Sequence, residues 1–166
     1  MRFATTTARD AAITPSSARK AGMLAWIDAL NCFTEVRADS GSWVISTLGR
    51  SAYSADQSAG FTFTASFTDV AGCTLTLPAG GWHVVATGLV DYATSGTRVY
   101  VPELIDSASL NYVQMGVGTS GKLPFTLQAR VSYASSTTVK LHAYANVVDG
   151  SQFISYGRIT AVPVAY

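Results

Sequence analysis

Residues 61–68 read Phe-Thr-Phe-Thr-Ala-Ser-Phe-Thr, an apolar residue and a hydroxyl-bearing residue in strict alternation. That period of two belongs to a β-strand with one face buried and the other wet, and no amphipathic helix has it. Further stretches of strand character follow at 73–77, 82–92, 97–104, 110–117, 125–133, 138–147 and 153–162. They are rich in β-branched and aromatic residues, which suit a pleated, half-buried surface. Turn-forming residues separate them at Pro78-Ala79-Gly80-Gly81, Thr94-Ser95-Gly96, Thr119-Ser120-Gly121, Ser135-Ser136 and Asp149-Gly150. Eight strands at this spacing, with no convincing helix and no repeat of fixed period, predict an all-β fold, with a β-sandwich over residues 61–166.

The first part of the chain is short and punctuated. Thr7 and Asp10 fit a capping box, a hydroxyl at the N-cap with a carboxylate three residues on. It predicts one helical turn through Ala11 and Ala12, ended by Pro15 and the Ser16-Ser17 pair. Strands are expected at 23–27, 33–37 and 42–45, with turns at 28–31 and 39–41. Residues 1–46 thus read as a three-stranded meander, too small to stand without something to pack on. Trp26 and Trp43, each on a strand of that sheet, are expected to pack together. Residues 47–60 are small and polar without a period, so they read as a linker or long surface loop.

Composition excludes several classes. The 166 residues carry a net charge of +1, and only 13% are charged. Nineteen Thr and eighteen Ser supply the polar surface instead. Near-neutrality excludes a phosphate-neutralising nucleic-acid binder. The 48% hydrophobic content excludes a disordered chain. No apolar run is long enough for a membrane span, and the start MRFATTTARDAA lacks the apolar core of a signal peptide. Cys32 and Cys73 read as buried, reduced thiols.

Chemistry is sparse. Gly116 to Lys122 matches the first seven positions of a phosphate-binding loop, but Leu123 stands where a magnesium-binding hydroxyl belongs. Pro124 then blocks the required helix, so the string reads as a glycine-rich hairpin turn. His83 and His142 are the only histidines, and no ligand cluster surrounds either in sequence. There is no Gly-x-Ser-x-Gly elbow. Asp69 and Asp91 are the best-placed acids, near strand ends where turn duty is ordinary. The expectation is no catalytic, metal or cofactor site, and no enzyme. The late tyrosines, from Tyr92 to Tyr166, suit interfaces and sugar-contacting faces as well as strands. Val139, Leu141 and Ala143 alternate with Lys140, His142 and Tyr144. One set should meet the core and the other a neighbouring subunit or solvent.

Two segments carry a resemblance. Ala8-Arg9-Asp10-Ala11-Ala12, followed by Gly22-Met23 and closing on Gly41-Ser42-Trp43, resembles a module recurrent in tailed-bacteriophage virion structural proteins. Thr76 to Gly88, TLPAGGWHVVATG after an aromatic alternating strand, resembles the jelly-roll domains of the C1q and tumour necrosis factor type. The resemblance implies an N-terminal module anchored to a particle, with Arg9, Asp10, Met23, Trp26 and Trp43 as anchoring candidates. It implies a C-terminal jelly roll that forms a homotrimer, with Val139, Leu141, Ala143, His142 and Tyr144 at the core or the trimer interface. The expected partners are copies of the chain, other virion proteins and a host-surface glycan, and the expected location is the virion. Tail tip or fibre is the leading placement and capsid decoration the alternative. A carbohydrate-binding module or a cell-wall hydrolase are rivals of other classes. Low charge with apolar excess independently suits a subunit that buries surface against its own copies.

Overall fold

The computed structural model describes residues 1–28, 32–36, 41–45, 52–92, 98–117, 121–147 and 152–164. Residues 29–31, 37–40, 47–51, 94–96, 119–120 and 149–150, which hold much of the expected turn and linker sequence, lie outside that set, as does the Cys32 side chain.

The N-terminal part is a small sheet with one helix on it. β1 (Arg2–Phe3) runs parallel to β2 (Leu24–Ile27), followed by antiparallel β3 (Cys32–Val36) and β4 (Trp43–Ile45). The sheet therefore has four strands, one more than expected. Helix α1 spans Thr6–Ala12, and its N-cap is Thr5, whose hydroxyl accepts from the Ala8 N–H. The expected cap at Thr7 is wrong by two residues. Three consecutive threonines offer equivalent hydroxyls, and a cap at Thr5 lets the helix bring Arg9 onto the sheet. Ala25, Ile27, Thr34 and Val36 are buried on the helix side. Cross-strand partners share a face. Trp43, opposite Val36, therefore lies on the helix side, while Trp26, opposite Phe33, lies on the other. The expected packing of the two tryptophans is excluded by the pleat. Trp26 instead meets Phe33 edge-on at 5.1 Å.

The rest is a sandwich of two sheets. Its strands are β5 (Tyr53–Asp56), β6 (Phe61–Thr62), β7 (Thr68–Leu77), β8 (Gly80–Tyr92), β9 (Arg98–Ile105), β10 (Ser109–Tyr112), β11 (Met115–Val117), β12 (Gly121–Tyr133), β13 (Thr137–Ala145) and β14 (Gln152–Pro163). One sheet runs β12-β8-β14-β5 with β6 beside β14, and the other runs β10-β9-β13-β7 with β11 beside β9. The pairs are nested: β5 with β14, β7 with β13, β8 with β12, β9 with β10 and β11. That nesting, wrapped around one core, is a jelly roll.

The topology overturns three sequence expectations. Residues 47–60 are not loop throughout, because β5 is a strand of the sandwich held against β14. The alternating segment 61–68 is not one strand: Phe61–Thr62 form β6, residues 63–67 leave the ladder and Thr68 opens β7. It must leave the β14 sheet to reach β13, where the Thr64 carbonyl accepts from Ala145 N–H, and a strand cannot stay straight across that step. The strands flanking the glycine-rich string 116–122 do not form the expected hairpin with each other: β11 pairs with β9 in one sheet and β12 with β8 in the other, while residues 118–120 lie outside the described residues.

The core lies between the sheets and is built from alternate residues. Trp82, Val84, Ala86 and Val90 of β8 face Leu75, Leu77, Tyr100, Leu104, Val139, Leu141 and Ala143 of the opposite sheet. Trp82 is fully buried, donates its indole N–H to the Pro78 carbonyl at 2.8 Å and meets Tyr53 edge-on. Cys73 is a buried free thiol, pushed up to about 11 by burial and the nearby Asp56 charge. Among the described residues, none of the N-terminal sheet belongs to this core cluster.

Close approach dictates two glycines. Gly72 sits at φ +87 in a bulge of β7, and a Cβ there would meet the Asp56 carbonyl at 2.4 Å. A Cβ on Gly88 would lie 2.4 Å from the Phe125 ring and 2.7 Å from the Tyr156 carbonyl. Gly88→Ala should therefore destabilise the sandwich by about 1–3 kcal/mol through overpacking. A chemical denaturation curve checks this, and an unchanged midpoint would show that Phe125 moves aside freely. Trp82→Ala should cost about 3–5 kcal/mol, whereas half-buried Trp26→Ala should cost clearly less. The same measurement ranks the two.

Candidate functional sites on the outer faces

In the N-terminal sheet, three of the expected anchoring residues converge. The Arg9 guanidinium is buried on α1, donates to the Thr34 hydroxyl at 3.1 Å and to Asp10 at 2.8 Å, and stacks 4.8 Å over the Trp43 ring. This cluster fixes the helix to the sheet. Met23 lies in the turn before β2, its sulfur accepting from Lys20 N–H. Trp26 stands apart on the opposite face, its indole N–H donating to Asp28, which Arg2 also holds.

The jelly roll presents two outer faces. On the β5-β14-β8-β12 face, the cross-strand register sets side chains in rows. Gln128, Val85, Thr160 and Ser54 form one row. The neighbouring rows are Thr126, Thr87, Arg158 and Asp56, then Pro124, Leu89 and Tyr156, then Lys122, Asp91 and Phe153. Two ion pairs, Arg158–Asp56 at 3.3 Å and Lys122–Asp91 at 3.2 Å, sit within rows. Asp91 is thus a structural ion-pair partner. Between these pairs the face is aliphatic, aromatic and hydroxyl-bearing. Phe153, Tyr156 and Val162, all on β14, are 38%, 47% and 44% exposed, large apolar side chains spaced along the strand with Arg158 and Thr160 between Tyr156 and Val162. A shallow cleft of about 330 Å³ lies at the end of this face beside His83, Gln128 and Arg130.

The long outer strand β12 of this sheet is guarded against strand addition. Asn111 Nδ2 donates to the Gln128 carbonyl at 2.8 Å, so the backbone groups of Gln128 point away from β8. By alternation those of Pro124 point the same way. The N–H that proline lacks is therefore subtracted from the open edge and not from the ladder.

The β7-β13-β9-β10 face is different. Val139, Leu141 and Ala143 are fully buried, while His142 and Tyr144 point outward. Of the five residues expected at the core or the trimer interface, Val139, Leu141 and Ala143 thus lie in the core and His142 and Tyr144 on the outer face. Asp69, His142, Glu103 and Tyr112 form one row across four strands. Asp69 holds Lys140 Nζ at 2.8 Å and His142 Nε2 on its other oxygen, and His142 Nδ1 faces Glu103 at 4.0 Å. The Lys140 hydrogen bond, helped by the charges of His142 and Lys140, holds the Asp69 carboxyl below the usual range despite desolvation. At the end of this sheet, burial raises Asp106, but hydrogen bonds from Ala108 N–H, Tyr133 O–H and Ser107 outweigh it and leave it lowered. Burial and the Asp106 contact raise Tyr133 in turn. Among the described residues no group of His, Cys, Asp or Glu is arranged to hold a metal ion, and no helix is long and apolar enough to cross a membrane.

No protein-family model and no curated protein sequence matches the chain. Solved structures do resemble it in shape. A chain of the infectious bursal disease virus Gt strain structure aligns over 79% of this chain and 40% of its own length, with 9% identity and a TM-score of 0.51. The infectious bursal disease virus VP2 subviral particle aligns over 78% and 38%, with 9% identity and a TM-score of 0.49. The globular domain of zebrafish complement 1qA protein aligns over 69% and 98%, with 12% identity and a TM-score of 0.48. The present chain spans well under half of the viral chains. The likeness concerns the fold, and it agrees with the jelly roll read from the strand nesting.

The lowered Asp69 has a consequence for acid stability. A carboxylate depressed in the folded state contributes stability above its unfolded pKa of about 3.9, lost as pH falls through the folded value. Lys140→Met should raise the Asp69 pKa toward that ordinary value and move the acid-unfolding midpoint to higher pH. Carboxyl NMR titration reads the first effect, and an unmoved Asp69 would show that Lys140 does not hold it.

Proposed function

We propose that the chain is a non-enzymatic virion structural protein that assembles with its own copies, as a trimer, through the β5-β14-β8-β12 face. The N-terminal sheet attaches it to the particle, and the jelly roll projects outward at a tail tip or fibre. The observation that carries this reading is the outer face of β14, where Phe153, Tyr156 and Val162 stand exposed beside half-buried Val85 and Leu89. Burying these side chains removes a few hundred Å² of apolar surface from water, at about 25 cal/mol per Å². The proline and Asn111 guards on β12 direct association to the face and away from strand-by-strand addition. The jelly-roll likeness to a virus structure supports a particle role through the fold alone. The phage placement and the trimer follow from the sequence resemblance.

Sedimentation equilibrium of the whole chain should give roughly three times the 17.4 kDa chain mass. Tyr156→Arg combined with Val162→Glu should sediment as a single chain with an unchanged far-UV spectrum. A single-chain mass for the unmodified protein would overturn the assembly, and a trimer that survives both substitutions would move it to another surface. Copy counting on purified particles separates few-copy tail placement from many-copy capsid decoration.

A further inference from the structure

The segment where the alternating pattern fails is also where an aromatic ring is held out in water. Continued as a strand, residues 61–68 would give Phe67 the same inward face as Phe61 and Phe63, which are buried. Phe67 is instead 46% exposed, over the outer face of β13. Its ring lies 5.4 Å from Tyr144 at an interplanar angle of 37°, and 6.4 Å from the His142 ring at 30°. The turn that presents it is braced on both sides. Thr64 Oγ1 donates to the Ser66 carbonyl at 2.6 Å and meets Thr68 Oγ1 at 2.8 Å. The Thr64 carbonyl accepts from Ala145 N–H on β13. A hydrophobic ring fixed in an exposed position forgoes burial worth about 1.5–3 kcal/mol, and such local departures from pattern collect at functional positions.

Beside the rings stands a fixed donor–acceptor pair. Lys140, His142 and Tyr144 follow one another along the outer face of β13, a run of about 13 Å at roughly 3.3 Å per residue. Asp69 bridges Lys140 and His142 from β7. The Lys140 and Asp69 side chains are part exposed, 37% and 46%. Each keeps hydrogen-bonding capacity beyond their mutual contact, since an ammonium has three donors and a carboxylate about four acceptor sites. Adjacent hydroxyls of a sugar match such a pair, one donating to the carboxylate and its neighbour accepting from the ammonium. The C–H face of the same ring carries the slight positive charge that an aromatic face attracts.

We propose that Phe67, Tyr144, Asp69 and Lys140 form a binding site for a neutral pyranose residue of a surface polysaccharide. Phe67 and Tyr144 supply the stacking platform, and the Asp69–Lys140 pair reads two neighbouring hydroxyls. A protein surface seated here would have to desolvate that charge pair without replacing its water. A hydroxyl-rich ligand replaces the water as it binds. This assignment deepens the outward-projecting reading above only in naming what the jelly roll touches, and it does not depend on the β14 face.

The test is an array of bacterial capsular and cell-wall oligosaccharides probed with the full chain. Binding to at least one neutral oligosaccharide is expected. Phe67→Ala and Asp69→Asn should each weaken it about tenfold or more, while Phe67→Trp keeps it. Because Phe67 is exposed, Phe67→Ala should retain its melting temperature, and Asp69→Asn tests the site from a second element. Tyr156→Arg, on the other face, should leave affinity for a single oligosaccharide unchanged. An empty array, or binding indifferent to both site substitutions, overturns the proposal. So does a Phe67→Ala protein that loses self-association but keeps oligosaccharide binding, since the patch would then contact a neighbouring copy. Sedimentation of the same preparations reports on assembly separately, so failure of the sugar site and failure of the trimer are told apart.

Discussion

The position of the last strand constrains everything else in the jelly roll. β14 lies between β8 and β5, so it supplies ladder partners to both, and neither the β8-β12 pair nor the four-residue β5 forms a covered sheet without it. The partners it joins are far apart in sequence: Ala161 faces Tyr53 on one side and Val84 on the other. Closing such pairs costs loop entropy before any core contact repays it. The core is correspondingly continuous. Trp82 packs on Tyr53 across β14 within one sheet, while Phe63 on Phe61 and Tyr100, and Tyr92 on Tyr100, tie the two sheets together.

The same topology explains what the sequence could and could not disclose. The strand at 82–92 was legible because its alternation is unbroken, and it proves to be Gly80–Tyr92 with every even residue inward. Tyr53–Asp56 alternates too, Tyr and Ala inward, Ser and Asp outward, but four residues in a Ser- and Gly-rich setting give a weak period. Only the distant partner β14 makes them a strand. The segment 61–68 failed in the opposite sense, because its perfect pattern carries no record that the chain must change sheets at Thr64. Trp26 and Trp43 were both placed on the correct sheet, yet which face each occupies depends on a register that composition does not encode.

The outer faces were the least legible part. Asp69 and His142 are neighbours only because β7 and β13 pair, and an isolated carboxylate at a strand start reads as a turn residue. Val139, Leu141 and Ala143 could be separated from Lys140, His142 and Tyr144 by period but not by direction. The structure supplies direction through the register, which sets Val139 beside Leu75 and Leu141 beside Leu104, all buried against the opposite sheet. What the sequence did convey was the scarcity of charge, and its physical meaning is now local. On the β14 face Arg158–Asp56 and Lys122–Asp91 are tied in pairs within rows, so apolar and hydroxyl side chains dominate between them, with Arg130 at the far end of the face.

The two faces therefore solve opposite problems with the same small set of residue types. On the β14 face two charge pairs neutralise one another beside Phe153 and Tyr156, leaving an apolar stretch between them whose exposure water penalises. On the β13 face the pair formed by Lys140 and Asp69 stands open, and Phe67 is braced beside it by hydroxyls that could have served an ordinary turn. A face that closes against a copy gains by excluding water, whereas a face that reads hydroxyl-rich ligands gains by exchanging water for other hydroxyls. A jelly roll suits both at once, because its nested pairing holds two outward faces rigid on one core while each strand contributes alternate residues to the interior.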